Sequence, residues 1–208
     1  ATNLNSSIDK LSLLIKCKFL YICLINSLKF TGDDIERLKI FSKHLLDYNV
    51  RYNLISKSTE KSLWNRHILD SAQLLNYINV NSKAILADFG TGAGFPGLIL
   101  AIYNKNPEFH VKLYDKSPVK RQFINKIIEK LDINAEVRAN VNNEEIQADY
   151  IVCRAFKKLK EIIKISREIV KKPHKIIILK GKNAQEEINK VSLGSNCSYK
   201  LEKSITNN

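Results

Sequence analysis

The chain has 208 residues, enough for one domain of ordinary size with a buried hydrophobic core, and its formal net charge is +13. This charge favours a polyanionic partner, although a sequence rich in Lys, Ile and Asn can be basic without binding nucleic acid. The four cysteines have neither CxxC spacing nor histidine partners at metal-ligand intervals. We therefore expect no metal site, and a reducing, cytoplasmic setting.

Residues 1–82 show helical patterns only, and we predict that they form an N-terminal helical extension. The apolar stretch at residues 11–30 is interrupted by lysines, and its longest unbroken run is too short to cross a bilayer. It therefore predicts a buried helix and not a membrane anchor. Thr31 and Asp34 have the spacing of a capping box at the start of the next helix. A further helix is predicted over about residues 59–75.

From residue 83 onward, short apolar runs alternate with helical patterns, which predicts one α/β domain over residues 83–208. Such alternation is typical of an open, mainly parallel sheet with helices on both faces. Ligands of such sheets bind beyond the carboxyl ends of the strands. The predicted strands are residues 84–89, 109–115, 135–139, 149–153, 175–180 and 198–205, and the predicted helices are residues 96–103, 117–131, a basic helix after Arg154, and residues 183–191.

A glycine-rich loop follows the first predicted strand, with Gly90, Gly92, Gly94 and Gly97 within eight positions. That much glycine indicates a ligand that approaches the backbone closely. Residues 92–97 match the G-x-G-x-x-G fingerprint of dinucleotide-binding loops, and an acidic residue follows at the expected distance. S-adenosylmethionine can use a similar loop, so the pattern alone leaves two cofactors open.

Two aspartates near this loop help to choose between the cofactors. Asp88 stands two residues before the first glycine, where a carboxylate would repel a pyrophosphate but attract the ammonium or sulfonium of S-adenosylmethionine. Asp115 ends the second predicted strand and can accept hydrogen bonds from ribose hydroxyls of either cofactor. The electrostatics therefore favour S-adenosylmethionine.

Positive charge is concentrated in residues 154–182, which hold eleven Lys or Arg against two Glu. Lys157, Lys160, Lys164 and Arg167 recur at steps of three and four, which places them on one face of the predicted basic helix. This face either binds an RNA backbone or is simply solvated, and the charge pattern leaves both interpretations open.

Several segments, taken in order, resemble the bacterial RsmG (GidB) family, which methylates N7 of a guanine in 16S ribosomal RNA. The resemblance covers most of residues 35–190 and implies a Rossmann-like class I methyltransferase fold. It also implies S-adenosylmethionine as methyl donor, and 16S rRNA or the small ribosomal subunit as substrate. The segments are "YNLISK" (52–57), "RHILDS" (66–71), "DFGTGAGFPGLILAI" (88–102), residues 115–123, "CRAF" (153–156) and "LKG" (179–181).

The resemblance assigns cofactor-contacting positions residue by residue. Together with the residues already named, the predicted cofactor site comprises Asp88, Gly90, Gly92, Gly94, Phe95, Asp115, Val141, Asn142 and Arg154. The family usually has Arg-Val-Glu around the adenine, whereas this chain has Asn-Val-Asn at residues 140–142, which favours weaker cofactor binding. The family also ends in a pair of strands, of which this sequence shows only the first.

The candidate RNA contacts are basic or titratable residues. His67 lies beside apolar residues and also fits a structural histidine. No acid or base catalyst is assigned, because guanine N7 has a lone pair and no proton to lose. The predicted RNA contacts are Arg66, His67, Lys157, Lys160, Lys164, Arg167 and Lys180.

Three other functions remain open from the residues alone. A methyltransferase of a non-RNA substrate would share every cofactor feature. An NAD-dependent oxidoreductase would need a further catalytic region, and a non-enzymatic RNA-binding module would have no use for Asp88 and Asp115 beside a glycine loop. We expect a monomeric protein without a membrane partner.

Overall fold

The computed structural model describes residues 23–143, 145–193 and 197–206. The predicted buried helix over residues 11–30 therefore lies mostly outside the described residues. Within them, its end forms a short π-helical turn, Cys23–Ser27, after which the buried side chains of Leu28 and Phe30 enter the core.

The described elements follow the predicted alternation of strands and helices. Helix α1 begins with the predicted capping box, in which the Thr31 hydroxyl accepts from the Asp34 amide and the Asp34 carboxylate accepts from the Thr31 amide. The helices are α1 (Gly32–Tyr52), α2 (Lys57–Glu60), α3 (Asp70–Ala72), α4 (Gly97–Tyr103), α5 (Pro118–Leu131), α6 (Leu159–Ile169) and α7 (Ala184–Asn189), and the strands are β1 (Ala84–Phe89), β2 (Phe109–Tyr114), β3 (Ala135–Arg138), β4 (Tyr150–Arg154) and β5 (Lys175–Leu179).

All five described strands are parallel and lie in the order β3-β2-β1-β4-β5, which confirms the predicted α/β sheet. Strand β1 is central, and Asp88 lies between Leu113 of β2 and Val152 of β4. The chain order reverses between β1 and β4, so the crevice at their carboxyl ends is the switch point where ligands of such sheets bind.

Alternate residues of the strands enter two hydrophobic cores on opposite faces of the sheet. Helices α1, α4 and α5 cover one face, which holds Leu86 of β1. Helix α6 covers the other face, which holds Ala87 and Phe89. The first core includes residues from both the predicted helical extension and the predicted α/β domain. The boundary between them at residues 82 and 83 therefore stays a prediction.

Two predicted elements differ from the structure. The predicted helix over residues 59–75 is divided into α2, a π-helical turn (Trp64–Leu69), α3 and a 3₁₀ turn (Gln73–Tyr77), because apolar periodicity does not distinguish these related helices. The predicted strand over residues 198–205 is wrong: described residues 197–206 form no strand. The Ile205 amide donates to the Gln73 side chain instead of pairing with β5.

No helix in the described part of the chain is long and apolar enough to cross a membrane.

Replacing Phe41 tests whether the helical extension and the sheet unfold together. Its buried ring lies 5.5 Å from the Phe95 ring and 6.2 Å from the Phe123 ring, between centroids. We expect Phe41→Ala to lower the free energy of unfolding by about 3–5 kcal/mol in a single urea transition. Val50→Ala on the same helix is the control, because Val50 is 84% exposed. Two separate transitions, or equal effects of both variants, would contradict a shared core.

Candidate active site

The glycine loop leaves β1 through left-handed backbone conformations. Gly90 has a φ of +73°, and a Cβ there would lie 2.5 Å from Cδ2 of Phe156. Gly92 has a φ of +61°, but a Cβ there would have no neighbour nearer than 4.0 Å. The loop is thus closed by an aromatic ring at Gly90 and open at Gly92. Gly94 faces Leu98 of α4.

Asp88 lies under this loop, with its side chain 0% exposed. Its Oδ2 accepts a hydrogen bond of 2.8 Å from the Gly97 amide at the start of α4. Its Oδ1 is buried and makes no hydrogen bond of ordinary geometry among the described residues, although the Thr91 hydroxyl, which is also buried without a partner, lies close enough to lower the pKa of the carboxyl. Desolvation raises the pKa of Asp88 to about 7, and the Thr91 side chain and the Gly97 amide only partly oppose that rise.

Asp115 joins the carboxyl end of β2 to the glycine loop. Its Oδ2 accepts from the Gly92 amide at 2.9 Å, and its Oδ1 accepts from the Ser117 amide at 2.8 Å. Ser117 in turn caps α5. The half-buried carboxylate is thereby held at the rim of the crevice.

Arg154 ends β4 and points toward the helical extension. Its Nη1 donates to the Arg66 carbonyl at 3.0 Å, and its Nη2 donates to Nδ1 of His67 at 2.7 Å. The guanidinium also lies 3.6 Å from Oδ2 of Asp70 and 5.0 Å from the centroid of the Phe95 ring. The "RHILDS", "CRAF" and "GFPG" segments therefore meet at this one side chain.

The environment of His67 fits the structural role that its sequence context also allowed, and its role as an RNA contact stays a prediction. Burial, followed by the positive charges of Arg154 and Arg66, lowers the pKa of His67 to about 4. The ring is therefore neutral at pH 7, accepts from Arg154, and lies 4.9 Å from the Phe95 ring between centroids. A neutral, half-buried imidazole adds no positive charge for a phosphate.

The remaining predicted cofactor residues are divided between core and surface. The Phe95 side chain is 3% exposed and packs in the core, so the open side of the loop does not present its ring. Val141 is also buried, whereas Asn142 is exposed and its amide donates to Oδ1 of Asn140 at 3.2 Å.

Several predicted RNA contacts are paired with acidic residues of the chain. Lys157 lies 3.0 Å from Glu161, and Lys164 lies 3.8 Å from Glu168. Both pairs are exposed and leave the lysines accessible.

Two further candidates bond to backbone carbonyls, and two others are exposed. Lys180 bridges Glu187 at 2.8 Å and the Lys157 carbonyl at 3.1 Å, so it has intramolecular partners, and its RNA contact stays a prediction. Arg167 donates to the Leu193 carbonyl. Lys160 and Arg66 are exposed.

Two residues that border the site were not predicted from the sequence. The half-buried ring of Phe156 covers Gly90. Asp70 lies beside Arg154. The signal was its spacing of three from His67, which places both on one side of a helical turn.

Two cavities of about 230 and 200 Å³ lie away from this site. Both border Val80 and Tyr103, near the amino end of β1. Neither is lined by the glycine loop.

With a cofactor loop at the switch point of a parallel sheet, the protein falls into the class of Rossmann-like cofactor-binding proteins. Within that class, the chain belongs to the rRNA small subunit methyltransferase G (GidB) family, whose family model matches residues 34–207. This match confirms the resemblance seen in the sequence, and with it the predicted enzyme class and the predicted S-adenosylmethionine cofactor.

Curated relatives cover most of the chain, and each is named Ribosomal RNA small subunit methyltransferase G. The protein of Orientia tsutsugamushi strain Ikeda is 36% identical over 176 residues, which are 84% of this chain and 86% of that protein. The protein of Rickettsia prowazekii is 35% identical, and the match covers 86% of this chain and 92% of that protein. The protein of Rickettsia felis is 37% identical, and the match covers 74% of this chain and 78% of that protein.

Substituting Gly90 tests the fit of the loop against Phe156. We expect Gly90→Ala to lower the free energy of unfolding by about 1–3 kcal/mol, because it combines a positive φ with a steric overlap. Chemical denaturation measures the change. Gly32→Ala is the matched control, because a Cβ at Gly32 has nothing within 4 Å and lies in the first turn of α1. A Gly90→Ala protein as stable as the control would show that the loop shifts freely.

Proposed function

We propose that the protein transfers a methyl group from S-adenosylmethionine to N7 of a guanine in 16S rRNA, with the small ribosomal subunit or its RNA as substrate. Family membership supports this reaction. The observation on which the cofactor assignment depends is the buried, unpaired Oδ1 of Asp88 beneath the glycine loop. We also propose that the protein acts as a monomer in the cytoplasm.

The residues at the loop fit this cofactor. Oδ1 of Asp88 offers a negative charge to the ammonium or sulfonium, directly or through a water molecule. The open backbone at Gly92 lets the cofactor lie close to the chain. The Asp115 oxygens each accept one amide and retain a lone pair for a ribose hydroxyl.

Arg154, Val141 and Asn142 complete the proposed cofactor site. Arg154 is held at the end of β4 and would contact the cofactor carboxylate. Val141 would lie along the adenine, and the exposed Asn142 would hydrogen-bond to its edge. Phe95 supports the site from the core, through its packing against Arg154.

The bound cofactor supplies an electrophilic methyl group. The residues of this chain hold the two reactants in position and exclude water. Guanine N7 attacks through its lone pair, so no residue has to remove a proton. The nearby groups are consistent with this: burial raises the pKa of the Cys153 thiol to about 12, and His67 is neutral and bonded to Arg154. Neither is suited to nucleophilic or acid–base chemistry at pH 7.

RNA would be held mainly by phosphate contacts from exposed basic residues around β4 and α6. Lys160 and Arg66 are exposed, and Lys157, Lys164 and Arg167 can exchange their intramolecular partners for phosphate. Such contacts fix the orientation of the RNA and weaken with salt.

Cofactor binding and methyl transfer test the proposed function in sequence. Calorimetry with S-adenosylmethionine and, separately, NAD should show saturable binding of the first only. We expect Asp115→Ala to weaken that binding about ten- to hundredfold, because it removes charge-assisted hydrogen bonds to the cofactor and to the loop. Asp47→Asn, an exposed substitution on α1, should leave the affinity unchanged.

Undermethylated small subunits and their naked rRNA would then be incubated with the enzyme and S-adenosylmethionine. Mass spectrometry of nuclease digests should detect 7-methylguanosine in 16S rRNA. Binding of NAD instead would overturn the cofactor assignment. Cofactor binding with methylation only of a protein or small molecule would favour the non-RNA methyltransferase.

The pH dependence of cofactor binding tests Asp88. Its raised pKa, about 7 against an ordinary 3.8, means that the folded state loses stability as pH rises through this interval. A cationic ligand favours the carboxylate, so binding should release a proton near pH 6.5 and tighten as pH rises toward 8. Calorimetry in buffers of different ionisation enthalpy counts the protons.

Asp88→Asn is the matched variant, because its amide oxygen can still accept from Gly97. Proton release measured with this variant comes from the ligand itself, and subtracting it from the wild-type value leaves the contribution of Asp88. We expect weaker binding and less proton release in this variant. Equal proton release in both proteins would show that Asp88 does not face the cation.

A further inference from the structure

The C-terminal segment docks on the helical extension beside the proposed active site. The Ile205 amide donates to Oε1 of Gln73 at 3.0 Å, and Nε2 of Gln73 donates to Oγ of Ser204 at 3.0 Å. The hydroxyls of Ser204 and Thr206 each lie 3.3 Å from Oδ1 of Asp70 and donate to it. The segment thus reaches residues 131 to 136 positions earlier in the chain.

Gln73 is the centre of this network and is 6% exposed. The two hydrogens of its Nε2 are shared among three acceptors, which are the Asp70 carbonyl at 2.9 Å, Oδ1 of Asp70 at 2.8 Å and Oγ of Ser204. A buried side-chain amide with its donors and acceptor all engaged has little freedom to reorient. Gln73 therefore ties the C-terminal segment and the Asp70 carboxylate into one unit.

The two oxygens of Asp70 have different tasks. Oδ1 accepts from Gln73, Ser204 and Thr206, whereas Oδ2 faces Nη1 of Arg154 at 3.6 Å. Because the first oxygen is held by neutral donors, the second is directed at the guanidinium. Both side chains of this ion pair are largely buried, so solvent screens the pair only weakly.

We propose that Gln73 and residues 204–206 are positioning elements for Arg154: they orient Asp70, and Asp70 holds the guanidinium at the carboxyl end of β4. This inference rests on the proposed role of Arg154 in holding the cofactor. The C-terminal segment supports the site without contacting the cofactor itself. Its effect on the cofactor passes through Asp70 and Arg154.

A double-mutant cycle separates positioning from simple docking. The full chain is prepared as wild type, Gln73→Ala, Arg154→Lys and the double variant, and S-adenosylmethionine affinity is measured by calorimetry beside thermal denaturation. Lysine keeps the charge of Arg154 but lacks the planar fork that Asp70 and His67 hold. Gln122→Ala, an exposed substitution on α5, is the control.

We expect Gln73→Ala to raise the dissociation constant at least fivefold, and by less than twofold in the Arg154→Lys background. With rRNA as substrate, the KM for S-adenosylmethionine should rise by a similar factor, with kcat changed less. Chains ending at Lys203, and Asp70→Asn, should show the same dependence on Arg154. These variants keep the test available if Gln73→Ala does not fold.

Equal losses of affinity in the wild-type and Arg154→Lys backgrounds would overturn the inference. So would variants that unfold at lower temperature while their affinity stays within twofold of wild type. Failure of the proposed function gives a different result: a wild-type protein that binds S-adenosylmethionine, shows the coupling, and leaves 16S rRNA unmethylated. Arg154→Lys with wild-type affinity would overturn the positioning inference alone.

Discussion

The approach of the Asp88 carboxylate to the Gly97 backbone is the constraint on which the site depends. The amide of Gly97 donates to this carboxylate at 2.8 Å, and a Cβ at position 97 would lie 2.7 Å from the same oxygen. Any larger residue would push α4 away from β1 and open the loop between them. The contact also buries an acid without a full set of partners, which costs free energy. That cost is consistent with the proposed site for a cationic cofactor.

The helical extension is part of the site and not an addition to it. Arg154 leaves the sheet, yet the groups that hold it come from the extension: the Arg66 carbonyl, the His67 ring and the Asp70 carboxylate. Phe95 continues the contact into the loop, because its ring packs against both His67 and the guanidinium. A shift of the extension would therefore move a proposed cofactor ligand directly. This arrangement gives a physical reason why the "RHILDS", "CRAF" and "GFPG" segments occur together in one chain.

Fewer of the predicted RNA-binding residues are without an intramolecular partner than the number of basic residues suggests. Lys157 and Lys164 each meet a glutamate one helical turn on, and Lys180 is held between α7 and the loop after β4. Exchanging such a partner for a phosphate gains less than placing an unpaired lysine there, because an existing interaction is lost. The exposed Lys160 and Arg66 have no such partner to give up among the contacts of the described residues, and they lie on either side of the Arg154 cluster along the chain.

The sequence by itself determined the features that depend on local chemistry. The capping box at Thr31, the central apolar strands, the glycine loop after β1 and the acid after β2 could all be predicted, because each follows from neighbouring residues and their backbone preferences. The family, too, could be recognised from short segments in order. Only the tertiary structure decided the partners of Arg154, which lie 87 and 88 residues away, and the place of the C-terminal segment. An apolar, alternating pattern at residues 198–205 suits a strand, but hydrogen bonds to Gln73 and Asp70 hold its end elsewhere. Local patterns set which groups need a partner, whereas folding sets which distant group supplies it.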